Sequence, residues 1–184
     1  FQATGMLSSF NALSLEKYVL DADVAVALRA ALHDVPVGDD ELGRTFESGL
    51  RAAGVEPSLA RKRTRTGVSV ILVTPDHERT MCTYLGACRE YGPDDLPRGA
   101  IGKARLLHLT GYLWDTESQK AAAVEAGRAA RSLGATVSFD VADPFVVTRY
   151  RDEFLAWIPG RVDILFANRA ELAELVGMRA AAKE

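Results

Sequence analysis

The sequence predicts an α/β protein in which a parallel sheet is flanked by helices and a small antiparallel hairpin is inserted. From residue 104 onward, short apolar runs alternate with longer stretches of helix formers, as in successive strand–helix units. A β-branched run at 67–74 is followed by a turn and a second run at 79–85, as in a hairpin. With 184 residues, of which 48% are hydrophobic and 26% charged, the chain is long enough to bury one ordinary core.

The predicted elements follow in chain order. Apolar residues spaced by three or four predict an amphipathic helix over 40–53 that ends at Gly54. The hairpin turns at residues 75–78, PDHE. Strands are predicted at 104–109, 135–141 and 162–166, and helices at 117–133, 149–158 and from 169 onward. Because such sheets bind ligands beyond the carboxyl ends of their strands, the residues that follow each strand are the expected site.

Composition and charge exclude several classes of function. A formal net charge of −3 offers no basic face for a nucleic-acid backbone. Cys82 and Cys88 lack C-x-x-C spacing, so we expect free thiols in a reducing compartment. No run approaches the roughly 20 apolar residues of a membrane span, and no signal-peptide pattern opens the chain. We therefore expect a cytoplasmic protein that binds neither nucleic acid nor membrane.

The strongest local signal is the segment VDILFANRAE at 162–171, in which a buried strand is followed by Asn168 and Glu171. Two interpretations are open. Asn168 could cap the next helix while Glu171 occupies its third position. Alternatively, an amide and a carboxylate at a strand end supply hard oxygen ligands, often through water, that hold Mg²⁺ against phosphates. Asp143 also follows a predicted strand and could be a helix cap.

This segment resembles the strand and N-x-x-E motif of the PfkB family of ribokinase-like kinases, and its sequence is most similar to that of adenosine kinases. Four other segments resemble the same family in the same order: GDDELG at 38–43, DHERTM at 76–81, LTGYL at 109–113 and the stretch 139–154. The resemblance spans about residues 38–177. It implies a ribokinase-like, Rossmann-like fold in which the hairpin at about 67–86 is a lid.

The resemblance implies an ATP- and Mg²⁺-dependent transferase that phosphorylates the hydroxymethyl group of an adenosine-like nucleoside or of a sugar. The expected partners are then small molecules, and a homodimer is left open. Arg79 in the lid would contact the transferred phosphoryl group, where a guanidinium neutralises developing charge. Asn168 and Glu171 would hold Mg²⁺ through water.

The resemblance also implies residues that bind the acceptor, each with a competing structural interpretation. Met81, Thr83 and Leu85 alternate on one face of the second hairpin strand, so they would line the acceptor pocket or merely pack the lid. Tyr112 and Leu113 follow a strand and would wall the nucleoside pocket or belong to the core.

The sequence departs from the family pattern in two places. Residues 6–11, MLSSFN, stand where the family has G-G-x-x-x-N, so Asn11 and the serines are the only matches, and acceptor binding there loses its close backbone approach. The family's catalytic aspartate lies in a G-A-G-D motif, but this sequence contains no G-x-G. We expect residues 1–184 to be a partial ribokinase-like domain, truncated at both ends and inactive alone. The alternative is a catalytically inactive protein of the same fold that binds a ligand or regulates.

Overall fold

The computed structural model describes residues 32–77 and 79–177, which divide after Tyr91 into two compact units. The first unit contains β1 (Leu32–Gly38), α1 (Glu41–Ala52), β2 (Glu56–Lys62), β3 (Val68–Val73), β4 (Arg79–Tyr84) and a 3₁₀ helix (Gly86–Glu90). The second contains a 3₁₀ turn (Pro93–Asp95), α2 (Arg98–Ile101), β5 (Leu106–Thr110), a 3₁₀ helix (Gly111–Trp114), α3 (Glu117–Ser132), β6 (Thr136–Asp140), α4 (Pro144–Trp157), β7 (Ile164–Phe166) and α5 (Arg169–Val176).

The first unit opens with a β-α-β arrangement whose two strands the sequence did not predict. β1 and β2 are parallel neighbours, and α1 joins them. Each strand carries a proline, Pro36 and Pro57, and neither has the β-branched run that indicates a strand. The intervening helix agrees with the amphipathic pattern predicted at 40–53.

Asp40 organises the turn between β1 and α1. Its Oδ1 accepts hydrogen bonds from the Gly43 amide at 2.9 Å and the Thr66 hydroxyl at 2.6 Å, and its Oδ2 accepts the Thr66 amide at 2.8 Å. The Thr66 hydroxyl is the main cause that lowers the pKa of the Asp40 carboxyl. A Cβ at Gly38 would lie 2.6 Å from the Thr66 amide nitrogen. This close packing explains the glycine at position 38 and the aspartate at position 40 of the segment GDDELG.

The predicted hairpin is present in the first unit. β3 and β4 are antiparallel, from Val68 opposite Tyr84 to Val73 opposite Arg79. The connecting turn is closed by the His77 amide, which donates to the Thr74 carbonyl at 2.9 Å, and His77 adopts a φ of 66°. Every residue of β4 is exposed.

The second unit is built on a three-stranded parallel sheet in the order β5-β6-β7, with α3 and α4 as the connections. The predicted parallel sheet with flanking helices is thus confirmed. α4 begins five residues before the predicted helix at 149–158, because Asp143 caps it and Pro144 stands at its first position. Its N-cap bond runs from the Val146 amide to Asp143 Oδ1 at 2.9 Å.

The core of the second unit is an aromatic cluster between the sheet and its helices. Trp114, Phe139, Phe154 and Trp157 contact one another edge to face, with ring centroids 5.1 to 5.3 Å apart. All four side chains are buried. Gly111 has no room for a side chain, because a Cβ there would lie 2.6 Å from the Val141 carbonyl oxygen. This packing holds the end of β5 against the end of β6.

The expectation that the strand before Asn168 is buried was wrong. Ile164, Leu165 and Phe166 are 44%, 37% and 41% exposed. The reason is topological: in the described part of the chain, β7 is an edge strand that pairs with β6 alone. A periodicity argument detects an apolar strand but not how many neighbours it has. Within the described ranges, no helix is long and apolar enough to cross a membrane.

Candidate functional site

The candidate site lies at the carboxyl edge of the parallel sheet in the second unit. Strands β5, β6 and β7 run in the same direction, so the residues that follow them come out at one edge. Tyr112 follows β5, Asp143 follows β6 and Asn168 follows β7. Three separate connections therefore contribute polar side chains to this edge.

Asn168 and Glu171 form a reciprocal cap at the start of α5. Asn168 Oδ1 accepts the Ala170 and Glu171 amides at 2.8 and 3.0 Å. In return, Glu171 Oε2 accepts the Asn168 amide at 2.7 Å and Oε1 accepts Asn168 Nδ2 at 2.5 Å. The helix-cap interpretation of N-x-x-E is confirmed, because this is a capping box. The role in holding Mg²⁺ stays a prediction.

Glu171 is a carboxylate in an electrostatically unfavourable place. Its side chain is buried, at 6% exposure. Burial is the main cause that raises the pKa of Glu171, nearby Asp140 and Asp143 raise it further, and the Asn168 amide opposes them. Two acidic side chains at the end of β6 thus act on Glu171 at the end of β7, and a cation bound beside Glu171 would relieve the repulsion.

Asp143 joins the ends of β5 and β6. Besides capping α4 through Oδ1, it accepts the Tyr112 hydroxyl through Oδ2 at 2.7 Å. Burial raises the pKa of the Tyr112 phenol, and the hydrogen bond to Asp143 raises it further. The phenol is therefore protonated at neutral pH and is held by a carboxylate.

The donor chemistry at this edge fits Mg²⁺ held through water. The side chains of Asn168, Glu171, Asp140 and Asp143 offer hard oxygens, which Mg²⁺ prefers. Both Glu171 oxygens already accept N–H groups, which favours contact through the metal's own water shell over direct ligation. Across residues 32–77 and 79–177, no group of three or more His, Cys, Asp or Glu side chains is arranged to hold a metal directly.

The hairpin residues named from the sequence belong to the first unit. Arg79 begins β4, and Met81 and Thr83 follow on the same face, opposite Ile71 and Ser69. Thr83 shares a hydroxyl–hydroxyl hydrogen bond of 3.0 Å with Ser69. The roles of Arg79, Met81 and Thr83 stay predictions.

The remaining predicted residues have different outcomes. Leu85 follows β4 and is half-buried, and Leu113 is half-buried in the 3₁₀ helix beside Tyr112. Asn11 lies outside the described residues. The predicted site residues did not include Asp140 or Asp143. Their signal in the sequence is their position at the end of the strand predicted at 135–141, where Asp143 could also be a helix cap.

Comparisons with known proteins bear on this site. The model of the pfkB family of carbohydrate kinases matches residues 24–184. A 5-dehydro-2-deoxygluconokinase of Shouchella clausii is 24% identical over 185 residues, which cover 93% of this chain and 57% of that protein. Among solved structures, the adenosine kinase from Sinorhizobium meliloti is 38% identical with a TM-score of 0.78, over 85% of this chain and 50% of that one. The probable sugar kinase protein from Rhizobium etli is also 38% identical, with a TM-score of 0.79 over 85% of this chain and 49% of that one.

The present chain therefore spans about half the length of the relatives that it matches. Their similarity is not confined to one motif, since the family match takes in both units and every strand of the candidate site. The chain belongs to the pfkB family of carbohydrate kinases.

Proposed function

We propose that this chain is part of an ATP-dependent kinase that phosphorylates the hydroxymethyl group of an adenosine-like nucleoside or of a sugar. Kinases of this family are phosphotransferases that act on the alcohol groups of such molecules. The observation that carries the proposal is the convergence of Tyr112, Asp143, Asn168 and Glu171 at one edge of a parallel sheet. An exposed aromatic ring beside clustered carboxylates suits a flat acceptor next to a metal-bound phosphate.

In this proposal Asn168 and Glu171 hold Mg²⁺ through water. Mg²⁺ bound there would supply the positive charge that balances the phosphates of ATP. The capping box fixes both side chains on a helix end, so their oxygens need no reordering when the ion binds.

Arg79 is the proposed contact for the transferred phosphoryl group, and Met81, Thr83 and Leu85 are the proposed acceptor contacts of the hairpin. Arg79 is exposed at the start of β4. A guanidinium stays charged at every accessible pH, which suits a phosphate contact.

The second candidate is a protein of the same fold that binds a ligand without catalysis. The observation that favours it is the segment MLSSFN at 6–11, which lacks the family's paired glycines. Release of ADP on addition of an acceptor would favour the kinase, because a protein that only binds a ligand consumes no ATP, whereas acceptor binding without ADP release fits both candidates.

The test uses the purified 184-residue chain with Mg-ATP and a panel of nucleosides and sugars. We expect acceptor binding by calorimetry but no measurable ADP release. The sequence contains no G-A-G-D motif to supply the general base, and loss of a general base alone costs about a hundredfold to ten-thousandfold in rate. Acceptor-dependent turnover that disappears in Arg79→Ala would contradict the expected inactivity and support the kinase assignment. Failure to bind any nucleoside or sugar would contradict the proposed function itself.

A further inference from the structure

The two carboxylate oxygens of Asp143 accept hydrogen bonds from different groups, one from the start of α4 and one from the Tyr112 hydroxyl. Oδ1 accepts the Val146 amide of α4 at 2.9 Å, and Oδ2 accepts the Tyr112 hydroxyl at 2.7 Å. We propose that Asp143 is a positioning residue, which fixes Tyr112 so that the site offers a nucleoside an aromatic ring instead of a free hydroxyl. This inference rests on the proposed function and specifies the acceptor class.

The carboxylate is itself held in place. Asp143 is the N-cap of α4, whose first turn, before a kink at Tyr150, is anchored by buried Val146 and Val147. A cap side chain bonded to the helix amides keeps one orientation. The acceptor of the Tyr112 proton is therefore part of a rigid element.

The other side of the hydrogen bond is also fixed. Tyr112 lies in the 3₁₀ helix directly after β5, and its neighbour Gly111 is packed against the Val141 carbonyl and the Phe154 ring. The backbone that carries the phenol is thus fixed against the end of β6. One hydrogen bond between two rigid elements is enough to select the ring orientation.

This arrangement leaves the ring free for a ligand but not the hydroxyl proton. A phenol has one proton to donate, and here a carboxylate accepts it in a charge-assisted bond. Tyr112 nevertheless remains 41% exposed. A planar nucleobase offers its whole π-face to such a ring, whereas a ribose offers only a small face that is rich in hydroxyl groups. The pair therefore favours a nucleoside over a sugar.

The decisive variant is Asp143→Ser in the full chain. Serine is as good an N-cap as aspartate, so α4 should remain intact, but its short side chain cannot also reach the Tyr112 hydroxyl. Asp143→Asn is the conservative control, because its oxygen can cap α4 while its amide N–H faces the phenol oxygen and holds the ring. The probes are adenosine and ribose, titrated by calorimetry.

For Asp143→Ser we expect the dissociation constant for adenosine to rise roughly three- to tenfold, the worth of one aromatic contact, while ribose binding stays unchanged. Asp143→Asn should bind adenosine as the wild type does. The ring signals of Tyr112, observed by NMR and assigned with Tyr112→Phe, should shift in Asp143→Ser and stay at their wild-type positions in Asp143→Asn.

Three results would overturn the inference. If Asp143→Ser shifts the Tyr112 ring signals but binds adenosine like the wild type, Asp143 is only a helix cap and the proposed function stands. The same conclusion follows if affinity for ribose falls in parallel with affinity for adenosine. If the wild-type chain binds neither adenosine nor ribose, the proposed function and this inference fail together.

Discussion

Glu171 accepts hydrogen bonds from Asn168 through both carboxylate oxygens, at 2.7 Å from the amide nitrogen and 2.5 Å from Nδ2. The same two residues thus close the start of α5 and present a buried negative charge at the carboxyl edge of the sheet. The same geometry therefore allows Asn168 and Glu171 both to cap α5 and to position a metal ion. The metal role needs the negative charge of Glu171 and the cap does not, so removing that charge separates the two roles.

Glu171→Gln should weaken Mg²⁺ binding by about tenfold, the Coulomb energy of one charge about 5 to 6 Å from a divalent ion in water. Adenosine binding should change much less, because glutamine keeps the side chain's shape and still accepts one of the two Asn168 N–H groups. Mg²⁺ titration followed by NMR of the labelled chain measures the first, and calorimetry the second. Asp152→Asn is the matched control, since it removes an exposed carboxylate of α4. Equal Mg²⁺ affinity in wild type and Glu171→Gln would contradict the metal role.

Ala142→Gly should stabilise the second unit by roughly 0.5–1 kcal/mol. Ala142 adopts a φ of 82° between Asp140 and Asp143, a conformation that costs a residue with a Cβ about 1 kcal/mol or more. Urea unfolding followed by tryptophan fluorescence reports this unit alone, because both tryptophans, Trp114 and Trp157, belong to it.

Gly134→Ala is the reverse control for Ala142→Gly. Gly134 has a φ of 80° and open space around its Cα, so an added methyl group tests backbone strain without a clash. It should destabilise the same unit by about 1 kcal/mol. A stability gain in Gly134→Ala, or a loss in Ala142→Gly, would show that strain does not govern these positions.

His108 should make the second unit less stable as the pH falls. Its Nδ1 lies 2.9 Å from the Ser138 hydroxyl, its Nε2 is buried without a hydrogen-bond partner in the described ranges, and burial lowers its pKa below 6.5. The unfolded chain therefore binds a proton on this histidine before the folded chain does. Stability is complete above the unfolded pKa and falls below it, by up to about 1.4 kcal/mol for each pH unit.

The measurement is the urea midpoint of the second unit between pH 7.5 and 5.5. His108→Gln should remove most of the decrease, because glutamine does not titrate. His77→Gln changes an exposed histidine of the other unit and should leave the decrease in place. An identical pH profile in wild type and His108→Gln would assign the effect to other groups.

Periodicity and turn chemistry were sufficient to predict much of this fold. The hairpin, α1, α3 and the three strands at the site follow from apolar spacing and from residues that end each element, and those signals are local. β1 and β2 were missed because Pro36 and Pro57 weaken the strand pattern, although pairing with each other overrides it. Local propensity cannot supply such tertiary pairing.

The candidate site shows the same limit: a local pattern predicts some of its residues, but not the contacts between distant ones. Asn168 and Glu171 were found because their spacing is a motif, but N-x-x-E is also the spacing of a helix cap, so the sequence could not separate the two roles. The Tyr112–Asp143 hydrogen bond joins residues 31 positions apart, and no local sequence pattern predicts it. It becomes visible only when β5 and β6 are side by side.

The most direct test of the proposed acceptor and metal sites is to map adenosine binding on the ¹⁵N-labelled chain by NMR. Saturating adenosine should shift the amide signals of residues 110–113, 143 and 168–171, which follow the three strands of the second unit, and Mg²⁺ should shift the last group without adenosine. Shifts confined to the outer faces of α3 and α4, or no shifts at all, would contradict the assignment of the acceptor and metal sites to this edge.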